Sequence, residues 1–317
     1  MTRSTKALLV LALTAPACTE YAPKGFSADQ KLGGKLVPAP VLTAGEKAYI
    51  QYCRSCHGDK GDGKGPAARG LRPPPRDFTL GVFKFASVPA GTLPLDEDLR
   101  RIVREGLHGT AMLDWDGIPE PKLQEIIQYI KTFSPRWQEE EPGEPIPRSP
   151  DPWSGRVAEA AQRGKRLYHG LARCDGCHPA YAPKQFIYEA TKELAGSPVT
   201  DFRKDMYLPE LKESDFGVNI LPPDFTFHEL RSIRPEHRLE DLHRVISAGV
   251  GGTAMPTWSG SLPEKDIWAM VHFVDSLVAL KGREQGRRWR DENIAADAGW
   301  KPPPGEPAPA EEPQDDE

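Results

Sequence analysis

The chain has 317 residues, 41 Lys and Arg against 46 Asp and Glu, and a formal charge of −5; its length suits about two domains of ~150 residues each. Hydrophobic residues make up 38%, and the 29 glycines bring the total into the ordinary globular band, which excludes wholesale disorder, while 33 prolines predict long irregular loops. Lys301 to Glu317 holds one Lys and six acids, so the body is formally neutral; it offers no summed field to phosphates, and nucleic acid is excluded as a partner.

In chain order, Arg3 and Lys6 precede the apolar run Ala7 to Leu13, and the small residues Ala15 and Ala17 follow. This is the three-part pattern of an export signal over 1–17, which predicts a mature chain outside the cytoplasm, in the periplasm. The run is too short to span a bilayer, and no other stretch approaches ~18 consecutive apolar residues. Ala15-Pro16-Ala17-Cys18 resembles the lipobox of bacterial lipoproteins, which implies lipidation of Cys18 and a membrane anchor. Ala15 stands where that motif usually has Leu, and Pro16 is unusual beside the cleavage site. The other reading is ordinary cleavage near Ala17, leaving Cys18 a spare thiol. Residues 18–42 lack a period and carry Pro23, Pro38 and Pro40, so they are expected to form a tether.

From there the chain repeats itself. Gly106 to Trp115 aligns with Gly249 to Trp258 at an offset of 143, a register that extends back to Asp98-Leu99 against Asp241-Leu242. A shifted register pairs Asp77-Phe78-Thr79 with Asp224-Phe225-Thr226. Each repeat opens with a helical candidate, Ala44 to Tyr52 and Val157 to Tyr168. Each closes on a helical stripe: Leu123, Ile126, Ile127, Ile130 and Phe133, then Ile267, Met270, Val271, Val274 and Leu277. The fold class is therefore mainly α, with a first domain over 43–134 and a second over 156–281. Residues 135–155, rich in Pro and Glu, read as a stiff hydrated linker. The second repeat carries an insertion at about 179–215, and residues 282–317 read as an extension ending in a solvated acidic tail.

The chemistry lies in Cys53-Arg54-Ser55-Cys56-His57 and Cys174-Asp175-Gly176-Cys177-His178, both CxxCH, the attachment signature of c-type haem. Cysteines three apart in a helical turn can each form a thioether with a haem vinyl group, and the adjacent histidine gives its imidazole to iron. A CxxC pair is also half of a four-cysteine zinc site or a thioredoxin-like dithiol. The pairs are separated by 117 intervening residues, however, and no βαβ pattern surrounds either. The pattern predicts two covalently bound haem c groups, each with its iron.

Both repeats resemble class I cytochrome c domains, with the haem motif near the N-terminus and a distal methionine near the C-terminal helix, so two such domains in tandem are expected. The second repeat's Gly252-Thr253-Ala254-Met255-Pro256 is similar to the family's distal loop. The resemblance implies Met255 as sixth ligand of the second iron and Met112 as that of the first; Leu113 replaces the family's proline, and His108 is the rival ligand. Met206, in the longer second repeat, is a rival to Met255 in principle, but nothing around it resembles the distal loop; the remaining histidines, His169, His228, His237, His243 and His272, are expected to be packing or surface residues. Tyr49, Tyr168, Tyr129 and Phe273 resemble the family's contact between first and last helices. Gly65-Pro66 resembles the loop whose Pro carbonyl orients the proximal histidine, with Ser197-Pro198 as a counterpart.

The implied function is electron transfer between redox proteins outside the cytoplasm, such as cytochromes or an oxidase or reductase complex, without enzymatic chemistry. Arg76 to Thr79, Gly91 to Pro94 and Asp98-Leu99 are similar to segments of multi-haem cytochromes serving bacterial respiratory complexes, which also admits a subunit fixed within such a complex. The alternative is a dihaem enzyme, such as a peroxidase or a thiosulfate-oxidising cytochrome, working at the first haem.

Overall fold

The computed structural model describes residues 22–304, so the expected export signal, Cys18 and most of the acidic tail lie outside the described residues. It is mainly helical. A hairpin of β1 (Gln30–Leu32) and β2 (Lys35–Val37) leads into α1 (Ala39–Tyr52) and the short α2 (Arg54–His57). After a long loop come α3 (Asp96–Glu105), α4 (Glu120–Lys131) and α5 (Arg136–Glu139). The second half holds α6 (Val157–Gly170), α7 (Lys184–Ala195), α8 (Arg238–Ala248), α9 (Glu264–Val278) and α10 (Glu284–Ala296).

Each half is organised by the crossing of its first long helix on its last, α1 on α4 and α6 on α9. A glycine sits at each crossing for a steric reason. A Cβ at Gly45 would overlap the Glu125 carbonyl, and one at Gly164 would overlap that of Ala269. The backbones therefore approach more closely than any side chain allows, and the aromatic residues one turn later lock the crossing. Tyr49 lies 5.2 Å from Tyr129 between ring centroids, and Tyr168 lies 5.4 Å from Phe273. Around these crossings, Leu42, Leu99, Leu123, Ile126 and Ile127 form one core and Leu167, Leu242, Ile267 and Val271 the other.

The segments expected to be solvated are largely packed. In place of a tether, residues 30–37 form the hairpin, whose Leu32 and Val37 are buried in the first core. Pro38 and Pro40 begin α1 rather than break it, since proline's fixed φ suits a first helical turn. The expected linker opens with α5, whose Trp137 is fully buried beneath the Lys131 ammonium, 5.1 Å from the ring centroid. The linker then pairs along the first half, with Gly143 N donating to Leu93 O and Ile146 N to Ser87 O. It is next fastened to the second half: Ser149 Oγ bonds Glu264 at 2.9 Å, and Trp153 Nε1 donates to Lys265 O at 2.8 Å. Two tryptophans supply the burial that a composition rich in Pro and Glu concealed. Within the insertion, α7 and Met206 build a small core with Ala180, Ala182 and Ile187. The extension contributes α10, whose Trp289 stacks on Tyr181.

Candidate functional site

The first CxxCH follows directly on α1, and the second follows α6 after Leu171, Ala172 and Arg173, so the first long helix of each half fixes where its motif points. Tyr49 Oη donates to Gly58 O at 2.8 Å, and Tyr168 Oη donates to Pro179 O at 3.0 Å. In both cases the acceptor is the residue after the motif's histidine, so the helix crossing is tied to the motif by one buried hydrogen bond. Cys53, Cys56, Cys174 and Cys177 are free thiols, and burial pushes Cys53 and Cys174 up to about 12.

The histidines are held alike. His57 Nδ1 lies 3.0 Å from Arg76 O, and His178 Nδ1 lies 2.9 Å from Pro223 O. A carbonyl only accepts, so Nδ1 carries the proton and Nε2 keeps its lone pair. Burial pulls both imidazoles below their ordinary pKa, which keeps them neutral and ready to ligate a metal. Each ring is stacked at an interplanar angle of 18°, His57 on Phe78 and His178 on Phe225, with centroids 4.5 and 4.8 Å apart. The phenylalanines are fixed by a local turn. Asp77 Oδ1 accepts from Thr79 N, and Asp224 Oδ1 accepts from Thr226 N, at 2.9 Å in both. In the second half Tyr181 Oη and Arg290 also hold Asp224.

The two methionine loops share one hydrogen-bond scaffold. Leu107 N donates to Met112 O, and Val250 N to Met255 O. Thr110 Oγ1 donates to Leu107 O and accepts from Met112 N, while Thr253 Oγ1 does the same with Val250 O and Met255 N. Gly106 and Gly249 enter these loops at φ 66° and 76°, where a Cβ would meet the chain beyond the methionine at 2.6 Å. Leu113 in place of proline leaves this scaffold unchanged. Met112 and Met255 are half-buried against their respective cores, whereas His108 is exposed.

Met206 is buried in the insertion's own core. His169 is fully buried between Lys165 O and Tyr181 N. His243 and His272 bind the carboxylates of Glu264 and Asp151. The carbonyls that orient His57 and His178 belong to Arg76 and Pro223, which replaces the expectation for Gly65-Pro66 and Ser197-Pro198. A backbone carbonyl leaves no mark in a sequence, so that role had no signal. The stacking role of Phe78 and Phe225 did have one, the repeated Asp-Phe-Thr segment. Among the described residues no three His, Cys, Asp or Glu side chains converge as a metal site, so the CxxC pairs do not combine as one four-cysteine centre.

Residues 40–130 and 159–274 match the family model described as cytochrome C oxidase, cbb3-type, subunit III, which together is well over half of the chain. The chain belongs to this cytochrome c family. Its two matched segments contain the two CxxCH motifs and the two methionine loops, and cytochrome c domains imply covalently bound haem c with its iron. Among solved structures, the chain is similar to a chain of the Kuenenia stuttgartiensis reducing HAO-like protein complex Kustc0457/Kustc0458. That likeness has 28% sequence identity and a TM-score of 0.58, and covers 74% of this chain and 96% of the other. A comparison with curated proteins gives no match. The residues present fit the group: each half offers a free thiol pair, a neutral imidazole whose Nδ1 is already engaged, and a half-buried thioether.

Proposed function

We propose that this cytochrome is a dihaem electron-transfer protein. Cys53, Cys56, His57 and Met112 would hold one haem c, and Cys174, Cys177, His178 and Met255 the other. The observation that carries this reading is the duplication of the whole scaffold: the tyrosine tether, the carbonyl on Nδ1, the stacked phenylalanine and the threonine-braced methionine loop recur residue for residue. When bound, the haem iron supplies reversible cycling between its ferrous and ferric states. The chain's residues orient the imidazole, fix its tautomer and present a soft thioether, which favours the reduced metal and raises the potential. No acid, base or nucleophile is required.

Export through residues 1–17 and a lipid anchor at Cys18 would place the protein at a periplasmic membrane surface. Its partners would be other redox proteins, and the family model and the two-protein complex of the structural relative support a role as a subunit within a larger assembly. The matching hydrogen bonds of the two methionine loops support electron carriage over a dihaem enzyme working at the first haem. The test is a redox titration of the exported protein by visible spectroscopy, with pyridine haemochrome quantitation and a scan for the methionine-to-iron charge-transfer band. Two haems, both methionine-ligated and inert to peroxide and carbon monoxide, are expected; one haem that binds carbon monoxide readily would favour the enzyme, and no covalent haem would sink both readings.

A further inference from the structure

The two halves meet along a seam with internal symmetry. Gly251 N donates to Lys84 O at 3.1 Å, and His108 N donates to Arg231 O at 3.0 Å. Gly251 and His108 are equivalent at the offset of 143 that relates the methionine loops. Lys84 and Arg231 are equivalent at the offset that relates the two Asp-Phe-Thr segments. The two bonds are thus one bond seen from either side, the mark of an isologous contact about a pseudo-twofold axis. In each, the segment just beyond one half's stacked phenylalanine grips the methionine loop of the other half. The fit is close: a Cβ at Gly252 would stand 2.7 Å from Val82, across the seam.

Cations gather on this seam. Arg101, Arg234 and Arg244 are neutralised in place, by Asp98, by Glu105 and Asp241, and by Asp241. Arg76, Lys84 and Arg231 are half-buried, and among the described residues none of them has a carboxylate within salt-bridge distance. Arg76 and Lys84 lie over the Phe216 ring, 3.8 and 4.9 Å from its centroid; each of them feels the like charge of Arg231, and Arg76 feels the opposite charge of its neighbour Asp77 as well. Burial, with Arg76 and Arg231 beside it, brings Lys84 down to about 8. A haem carries its two propionate carboxylates on the edge opposite the vinyl groups that bond to cysteine, so each haem brings anions that the protein must neutralise.

We propose that Arg76, Lys84 and Arg231 form a shared counter-ion site for haem propionates at the pseudo-twofold seam, so that each half's cations act on the haem of the other half. The proposal rests on the two-haem reading. It makes the seam an electrostatic coupling element: a charge placed by one domain is part of the field at both irons.

The test uses the full-length holoprotein and the variants K84Q, R231Q and R231K, with pyridine haemochrome counts and spectroelectrochemical midpoint potentials. Removing a positive charge beside the propionates favours the oxidised iron, so K84Q and R231Q are each expected to lower both midpoint potentials, and R231K to return both to the wild-type values. A shift confined to the haem of the substituted domain, or no shift in a variant that still carries two haems, would overturn the shared site. So would R231K behaving as R231Q, or wild-type potentials that move with added inorganic phosphate at constant ionic strength, which would assign the cations to a free anion. Fewer than two haems in the wild-type protein would instead strike the two-haem reading itself.

Discussion

Gly164→Ala isolates the helix crossing from the chemistry it positions. In an open helix the change would stabilise, since Ala is favoured over Gly by about 1 kcal/mol. At this crossing the new methyl would overlap the carbonyl oxygen of Ala269, lie 2.6 Å from its carbonyl carbon and 2.8 Å from Phe273 Cβ. The obstacle is backbone inside a helix and cannot rotate away, so α6 must withdraw from α9, where Ile267, Ala269 and Val271 are all fully buried. Overpacking of this kind costs about 3 kcal/mol at the upper end of its usual range, which leaves a net loss of about 2 kcal/mol. For a body of this size that is a fall of roughly 4–8 °C in midpoint. Tyr168, one turn further on, holds Pro179 O beside His178, so the loss is expected in the thermal unfolding of the second domain, read by its Soret signal. Gly117→Ala, where a Cβ meets nothing within 4 Å, serves as the control and is expected to be neutral. A Gly164→Ala protein at least as stable as wild type would refute the steric argument.

Further outcomes follow from the same geometry. His178→Ala is expected to remove one haem from the pyridine haemochrome count and to lower the stability of the second domain; a variant with two haems and wild-type thermal stability would count against its role as ligand. Met112→Leu and Met255→Leu should each abolish part of the methionine-to-iron band and lower one midpoint potential, whereas His108→Ala leaves both bands intact; a band lost in His108→Ala would assign that histidine to the first iron. Burial holds His169 at about 3, below its unfolded value of roughly 6.5. The unfolded chain therefore takes up a proton that the folded one refuses as pH falls between these values, and stability declines by about 1.4 kcal/mol per unit below 6.5. In unfolding midpoints measured from pH 7 to pH 4, His169→Gln should be less stable at neutrality but flatter with pH; an unchanged slope would show that His169 protonates in the folded state.

What was legible in the sequence is what residue identity and local spacing carry. Two CxxCH motifs, two repeated methionine loops and two helical stripes give a mainly α fold and a candidate donor set for haem, because a helical turn sets the reach of neighbouring side chains whatever surrounds it. Even the threonine brace under each methionine is local, acting between residues two and three apart. The tertiary structure decided what depends on groups distant in the chain. The carbonyls of Arg76 and Pro223 are 19 and 45 residues from the histidines they orient, and every residue has a carbonyl, so composition cannot mark them. Trp137 and Trp153 turn a hydrated-looking linker into packed structure, since one buried indole outweighs several polar neighbours. The seam of Lys84 and Arg231 appears only when two repeats are folded against each other, because a pseudo-twofold contact is a relation between domains and leaves no pattern within either one.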